Sequence, residues 1–492
     1  MRNFGMGAQM SRSKELTVPN WIAGKSIIFF LVTMFACWGA FGFVPDFELW
    51  IVAVISVVLF FYGSQASLGS WERKKEKTFI RNVFVVGLVI RLIWILYCYF
   101  YFNPEHYGNN LGNTADTEWY MNFGKILSQW LSGDLRVGIS DVLERNDSAI
   151  DDVGYPMWLG IVYFIVGKDN DVFIPFVLKC ILGAYCAVSI YRIAKRHFGD
   201  GTARMAAIFV AINPNMIYWC GNMFKEAEMV FLCCLAVELL DKAVTSGQRL
   251  TLKALLPGIL VGFSLFFFRS ALGLMVFLAM FAHIVMASGK VMSFGKKILA
   301  GILVTVTLLV GMGENLRSQT EYMINAAQSN AQQENMEWRS RRQDGSNSFA
   351  KYASAAVFAP LIFTIPFPTF NAAQEGQLLQ IQLAGGSYIK NVLSFFVIMV
   401  MFMLLISGDW RRHVFILAYT VGYLAILAIS SFAQSGRFHM PIWPMLLLFA
   451  AYGIQIAKTN IKLRRWYNIA LMIEVVACVA WNWFKLKGRG MI

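Results

Sequence analysis

The sequence predicts an all-α polytopic membrane protein. Three observations predict it: a composition 57% hydrophobic and only 15% charged, a series of apolar runs long enough to cross a bilayer, and basic residues gathered into the short connections between those runs. A soluble surface needs more charge than this, so lipid must be the solvent for most of the chain. Aromatic residues reach 15%, with 15 Trp, an enrichment that suits belts at the two membrane interfaces. The formal charge of +14 does not mark a nucleic-acid partner, because the cations sit where they orient helices. The eight cysteines lie within or at the ends of apolar runs with no CxxC spacing, so they read as small core residues. The first twenty residues lack the apolar stretch and cleavage site of a signal peptide, and the helix beginning near Ser26 is expected to stay as an anchor.

A spanning helix needs about 17 to 25 residues. Runs of that kind fall at 26–44, 48–66, 80–102, 172–193, 203–220, 224–241, 253–268, 270–289, 297–312, 391–407, 413–431, 439–457 and 468–484, which gives about 13 transmembrane helices. Basic loops alternate with them: Arg73, Lys74, Lys75, Lys77 and Arg81; Arg192, Lys195, Arg196 and Arg204; Lys290, Lys296 and Lys297; Arg411 and Arg412; and Lys458, Lys462, Arg464 and Arg465. The positive-inside rule places all of these on the cytoplasmic side.

That rule also decides two ambiguous segments. The apolar run 155–167 is short, and a crossing there would carry the Arg192–Arg204 loop outward, so it is expected to be juxtamembrane or re-entrant. The segment 355–370 is broken by Pro360, Pro366 and Pro368, and a crossing would invert both later basic loops. It too should dip in without crossing. Residues 103–154 then form a large outward loop with nine acids against Lys125, Arg136 and Arg145. The expected organisation is two N-terminal helices over 1–70, a transmembrane core over 71–312 carrying the 103–154 loop, an outward polar region over 313–390, and C-terminal helices over 391–492. Lys485, Lys487 and Arg489 fall on the outer side in this arrangement, against the rule.

In the outward loop, Trp119, Phe123, Ile126, Leu127, Trp130 and Leu131 repeat at helical spacing. A helix of that kind lies in the interface plane and brings Asp116 close to the membrane surface. Asp116 reads either as a first-turn acid favoured by the helix dipole or as a functional carboxylate. Glu226 opens the helix that re-enters after the turn at 220–226, on the same side as Asp116. With Lys225 it reads either as a flanking anchor or as a functional group at the edge of a span.

The order of these features resembles the GT-C superfamily of polytopic glycosyltransferases, which take a sugar from a polyprenyl-phosphate carrier. Its protein mannosyltransferase-like and aminoarabinose transferase-like branch (family 39-like) is the most similar, over roughly 80–280 and 391–457. Asp116-Thr-Glu-Trp-Tyr120 looks like that family's loop-opening acidic motif, with Thr117 in place of the usual Glu. Gly154-Tyr-Pro-Met-Trp158 through Gly167 is similar to its juxtamembrane segment, and Ala194-Lys-Arg-His-Phe-Gly199 to its basic turn. Asn213-Pro214 and Glu226 match a Pro-containing helix end and the acid opening the next helix, although the family more often has Asp there. Ser435-Gly-Arg-Phe-His-Met-Pro-Ile-Trp-Pro444 looks like its late Arg-containing motif, with Gly436 in place of the acid.

The resemblance implies a GT-C-like fold and transfer of a sugar from a polyprenyl-phosphate donor to a lipid, glycan or protein acceptor. It also implies a multi-pass location in a membrane, such as the bacterial inner membrane, and a role in envelope glycan assembly. Such transfer needs a base for the acceptor hydroxyl, for which Asp116 is the candidate. Glu226 is taken with it, to hold the acceptor or orient Asp116. Charge building on the leaving phosphate calls for a guanidinium, Arg437 first and Arg269 second, each of which reads equally as a helix-end residue snorkelling to headgroups. Tyr120, Lys225 and His439 flank these groups and are taken as substrate-binding. No metal-ligand spacing is visible, and a divalent metal is neither required nor excluded. Two other readings stand beside this one: a polysaccharide polymerase or O-antigen ligase-like enzyme, whose large functional loop usually comes later in the chain, and a lipid or sugar transporter, for which no inverted repeat is visible.

Overall fold

Lipid offers the backbone no hydrogen-bond partner, so a chain this apolar must satisfy its amides within helices. A computed structural model describes residues 17–42, 47–112, 116–134, 152–168, 171–245, 252–286, 355–371, 382–430, 432–458, 460–488 and 492, and among them every regular element is a helix. In chain order these are α1 (Asn20–Phe41), α2 (Phe47–Trp71) and α3 (Glu76–Tyr107), α4 (Thr117–Leu131), α5 (Gly154–Val166), α6 (Phe173–Ala211), α7 (Glu226–Thr245), α8 (Leu252–Phe268), α9 (Ser270–Met286), α10 (Ala384–Ser407), α11 (Val414–Ile429), α12 (Gly436–Ala457) and α13 (Ile461–Gly488). Among the described residues, seven helices are long and apolar enough to cross a membrane: α1, α2, α3, α6, α10, α12 and α13; α5, α8, α9 and α11 are shorter apolar helices. Each expected span except 297–312, which lies outside the described residues, falls on one of these helices, 203–220 only as far as Ala211.

The long helices carry their exposed apolar residues in stripes. On α3, Val85, Val89, Ile93, Leu96 and Phe100 are all exposed at a spacing of three to four, while Arg91 on the inner face is buried. This inverts the soluble pattern and is what a helix needs when lipid covers one face and protein the other. The chain's two ends pair with each other: Ser26 Oγ and Tyr467 Oη lie 2.6 Å apart, Lys25 Nζ donates to Asn468 Oδ1 at 2.6 Å, and Tyr388 Oη of α10 donates to the Ser26 carbonyl at 2.8 Å.

The 39 residues of α6 are not one rod. Gly199 (φ 83°, ψ 176°) breaks the helical path, and the two arms fold back along α3. Arg91 donates to the Ala211 carbonyl at 2.7 Å while its side chain lies against Gly183, and Tyr191 Oη donates to Asp200 Oδ1 at 2.6 Å. Residues 183 and 211 thus share one end and 191 and 200 the other. The expected span 172–193 and the first part of 203–220, up to Ala211, are the arms of this hairpin, and the rest of the second span is a short helix at Pro214–Tyr218 and a turn. Its tip gathers basic connections: Lys195 pairs with Glu76 at 2.6 Å, Arg204 donates to the Trp71 and Lys74 carbonyls at 3.0 Å each, and His197 meets His413 at 2.8 Å.

At the opposite end, α5 does not cross but lies along α4, where Gly124 and Gly160 let the two backbones approach. A Cβ on Gly160 would stand 2.9 Å from the Gly124 carbonyl oxygen. In 355–371 the helical part is only Ala355–Phe358 followed by a turn at Ala359–Leu361. Its carbonyls are held by α10, with Ser394 Oγ donating to Phe363 O at 2.6 Å, so it enters the fold without crossing it. Lys485 bonds Thr369 Oγ1 at 2.9 Å, which puts it at this same end; Arg489 lies outside the described residues.

Candidate active site

Three distant parts of the chain deliver one ionic cluster. Asp116 immediately precedes α4, Glu226 is the first residue of α7, and Arg437 sits in the first turn of α12. Arg437 Nη1 donates to Asp116 Oδ2 at 2.5 Å and Nε donates to Glu226 Oε1. The guanidinium also rides on the Phe224 ring, 4.4 Å from its centroid, a cation–π contact strengthened by desolvation. Exposure is graded across the cluster: side-chain values are 43% for Asp116, 22% for Arg437 and 0% for Glu226. Asp116 stands at the N-cap of α4 but makes no capping bond to its backbone, its side chain being turned to Arg437 instead.

The turn that presents Glu226 is built from specific local choices. Asn213 caps Pro214–Tyr218 by accepting from the Met216 amide at 3.2 Å, with Pro214 at the first position, where no donor is needed. Gly221 is required by close approach, since a Cβ there would stand 2.7 Å from Cys98 Sγ. Lys179, fully buried, reaches the turn from α6 and donates to the Asn222 carbonyl at 2.7 Å and to that of Phe224. Glu226 Oε2 is buried without a hydrogen-bond partner among the described residues. An acceptor of that kind is where an incoming donor is favoured.

Tyr120 and Arg269 border the cluster. Tyr120 is buried edge-on against Tyr155, with centroids 5.0 Å apart. Burial pushes its hydroxyl well above the ordinary phenol range, and the Arg437 charge opposes that shift while Asp116 and Glu226 add to it. It therefore stays a protonated donor beside the carboxylates. The Arg269 guanidinium stacks over Phe438 at 4.2 Å and reaches Tyr423 Oη at 3.4 Å.

Two expected substrate contacts are otherwise engaged. Lys225 pairs with Asp152 and donates to the Phe268 carbonyl at 2.9 Å, clamping the start of α5 to the end of α8. His439 Nδ1 lies 2.9 Å from Lys390 Nζ and Nε2 lies 2.7 Å from the Ala433 carbonyl oxygen, so both ring nitrogens are used within the protein. The helix face of α4 is also rotated from the expected one. Tyr120, Phe123, Gly124, Leu127 and Ser128 pack inward, while Trp119, Ile126 and Trp130 are only partly covered, because α4 has protein on one side and the bilayer boundary on another. Sequence reasoning missed the buried pair Lys179–Glu228, 3.7 Å apart. The available signal was a lysine inside the 172–193 apolar run and an acid near the start of the 224–241 run. Among the described residues, no group of three or more His, Cys, Asp or Glu side chains is placed to hold a metal ion.

Residues 153–312 match the family described as dolichyl-phosphate-mannose-protein mannosyltransferase. The match spans less than half of the chain and takes in Lys225, Glu226 and Arg269, but neither Asp116 nor Arg437. No curated protein matches the chain. Together with the all-helical membrane fold, the family match supports a GT-C-like membrane glycosyltransferase.

Proposed function

We propose that this protein moves a sugar from a polyprenyl-phosphate donor to a hydroxyl acceptor on the extracytoplasmic side of the membrane. The observation that carries the proposal is the convergence of Asp116, Glu226 and Arg437 at the end opposite the basic connections. In the reaction, the acceptor oxygen attacks the anomeric carbon as its proton passes to the Asp116 carboxylate. The bond from that carbon to the phosphate oxygen breaks, and its electron pair stays on the phosphate. Asp116 is the most exposed member of the cluster, which suits a base that must meet an incoming hydroxyl. Arg437 binds the two carboxylates through Nε and Nη1, leaving Nη2 outside those bonds for a phosphate oxygen. Arg269, held flat on Phe438, supplies a second charge to the same group. Glu226 fixes the guanidinium from the buried side, so its role is positioning.

The test uses the purified full chain with a panel of polyprenyl-phosphate sugars and an envelope lipid and glycan extract as acceptor, following release of free carrier phosphate. Release that depends on both donor and acceptor is expected. Donor left intact across the whole panel would overturn the proposal.

A further inference from the structure

On the other side of the first turn of α7 lies a second buried carboxylate. Glu228 is two residues beyond Glu226, so the two side chains leave the helix about 200° apart. Glu226 faces Arg437, whereas Glu228 lines a cavity of about 370 Å³ between α5, α6, α7 and α8, within the usual range of ligand pockets, roughly 300–1,000 Å³. The other walls are Met157, Trp158, Phe231, Phe267 and Phe268. Glu228 is 2% exposed, and neither carboxylate oxygen has a hydrogen-bond partner among the described residues. Lys179 offsets its charge at 3.7 Å, but that ammonium already donates to two backbone carbonyls. What Glu228 lacks is therefore a hydrogen-bond donor, not a counter-charge.

The lining contains no basic residue, whereas the candidate phosphate-binding arginines are engaged elsewhere, Arg437 with Asp116, Glu226 and Phe224 and Arg269 with Phe438 and Tyr423. An anionic phosphate lipid finds nothing in this cavity to pair with. A neutral head group with hydroxyls does, on aromatic walls that suit a sugar or alkyl face. Ile161, also in the lining, is 48% exposed, so the cavity opens on the apolar flank of the molecule, where a ligand arrives from the bilayer.

We propose that this cavity seats a neutral, hydroxyl-bearing amphipath whose hydroxyl donates to Glu228. Resting on the glycosyl-transfer reading, that amphipath is the acceptor, anchored through one hydroxyl at Glu228 while another reaches Asp116 on the donor side of the first turn of α7.

The test is photolabelling of the full chain in nanodiscs with a diazirine-bearing alkyl glucoside. Labels are expected on residues 154–161 and 264–268, competed by unmodified alkyl glucoside and not by the matching alkane. Labelling should fall at least tenfold in Glu228→Leu, and also in Ser264→Phe, which fills the cavity with the carboxylate intact. Glu228→Gln keeps an acceptor oxygen and should retain most of it. In turnover assays, Glu228→Leu should raise the KM for a lipid acceptor and leave the donor KM unchanged. Labelling indifferent to both Glu228→Leu and Ser264→Phe, or competed as well by alkane, leaves only a lipid-filled or water-filled gap and overturns the site. A rise confined to the donor KM overturns the assignment to the acceptor. Glu228-dependent labelling supports the site even in a preparation without transferase activity, so the two readings fail separately.

Discussion

Two acids share one guanidinium at the cluster, and the inner acid, Glu226, is completely buried. Arg437→Met therefore strands a carboxylate without compensation and should destabilise the protein by about 3–5 kcal/mol. The double variant Arg437→Met with Glu226→Gln should recover most of that loss, as measured by thermal unfolding in detergent. If both variants are equally unstable, the pair is not what holds α7 to α12. Arg437→Lys asks about function instead, because lysine keeps the charge but cannot reach two carboxylates and a phosphate in one plane. A lost charge-assisted hydrogen bond is equivalent to roughly tenfold or more, so the donor KM should rise by at least that factor with the acceptor KM little changed. Asp116→Asn should lower turnover by about 10²–10⁴-fold with normal folding, and near-normal turnover would remove Asp116 as the base. At this scale the sequence exposed the residues at the ends of apolar runs, since an ion there is conspicuous. It did not expose their partners: Lys390 beside His439, Asp152 beside Lys225 and Glu228 beside Lys179 are pairings made only by packing.

Helix α4 carries Asp116, and its position depends on how closely it crosses α5. In Gly160→Leu the new Cβ alone would stand 2.7 Å from Leu127 Cβ, an overpacking that costs about 1–3 kcal/mol. The displacement acts on α4, so turnover should fall more than donor binding, a split that a general loss of stability would not produce. Gly199 makes a contrasting case. Its φ of 83° belongs to a region that residues with a Cβ avoid, and no atom lies within 4 Å of the added Cβ. Gly199→Ala should thus cost about 1–3 kcal/mol from backbone strain alone, with the site's kinetic constants retained in the folded fraction. Periodicity located α4, and the apolar runs located the two arms of α6, although the second run overshoots the end of its arm at Ala211. The face of α4 was rotated because hydrophobicity does not distinguish a side chain covered by protein from one covered by lipid.

Across the molecule, charge and geometry divide the same way. The connections holding Lys74, Lys195, Arg196 and Arg204 meet at one end, and the tip of α6 also reaches His413, which follows Arg411 and Arg412. Asp116, Glu226, Arg269 and Arg437 lie at the other. This division was readable because positive charge in short loops reports topology directly, and the same rule kept α5 and 355–370 from being counted as crossings. Lys485 is the exception, and its contact with Thr369 places it with the site in spite of the rule. All eight cysteines are buried, so in a cysteine-free background single cysteines can report sidedness cleanly. Those replacing Ser132 or Asp134, exposed beside α4, should react with an impermeant thiol reagent added outside intact cells. Those replacing Lys75 or Asp409, exposed at the basic end, should react only after permeabilisation. A cysteine at Lys485 decides between the rule and the packing: labelling from outside follows from its bond to Thr369, whereas labelling only after permeabilisation would mean that α13 does not cross as the structure has it. Outside labelling at Asp409 would place the site in the cytoplasm and require a donor presented there.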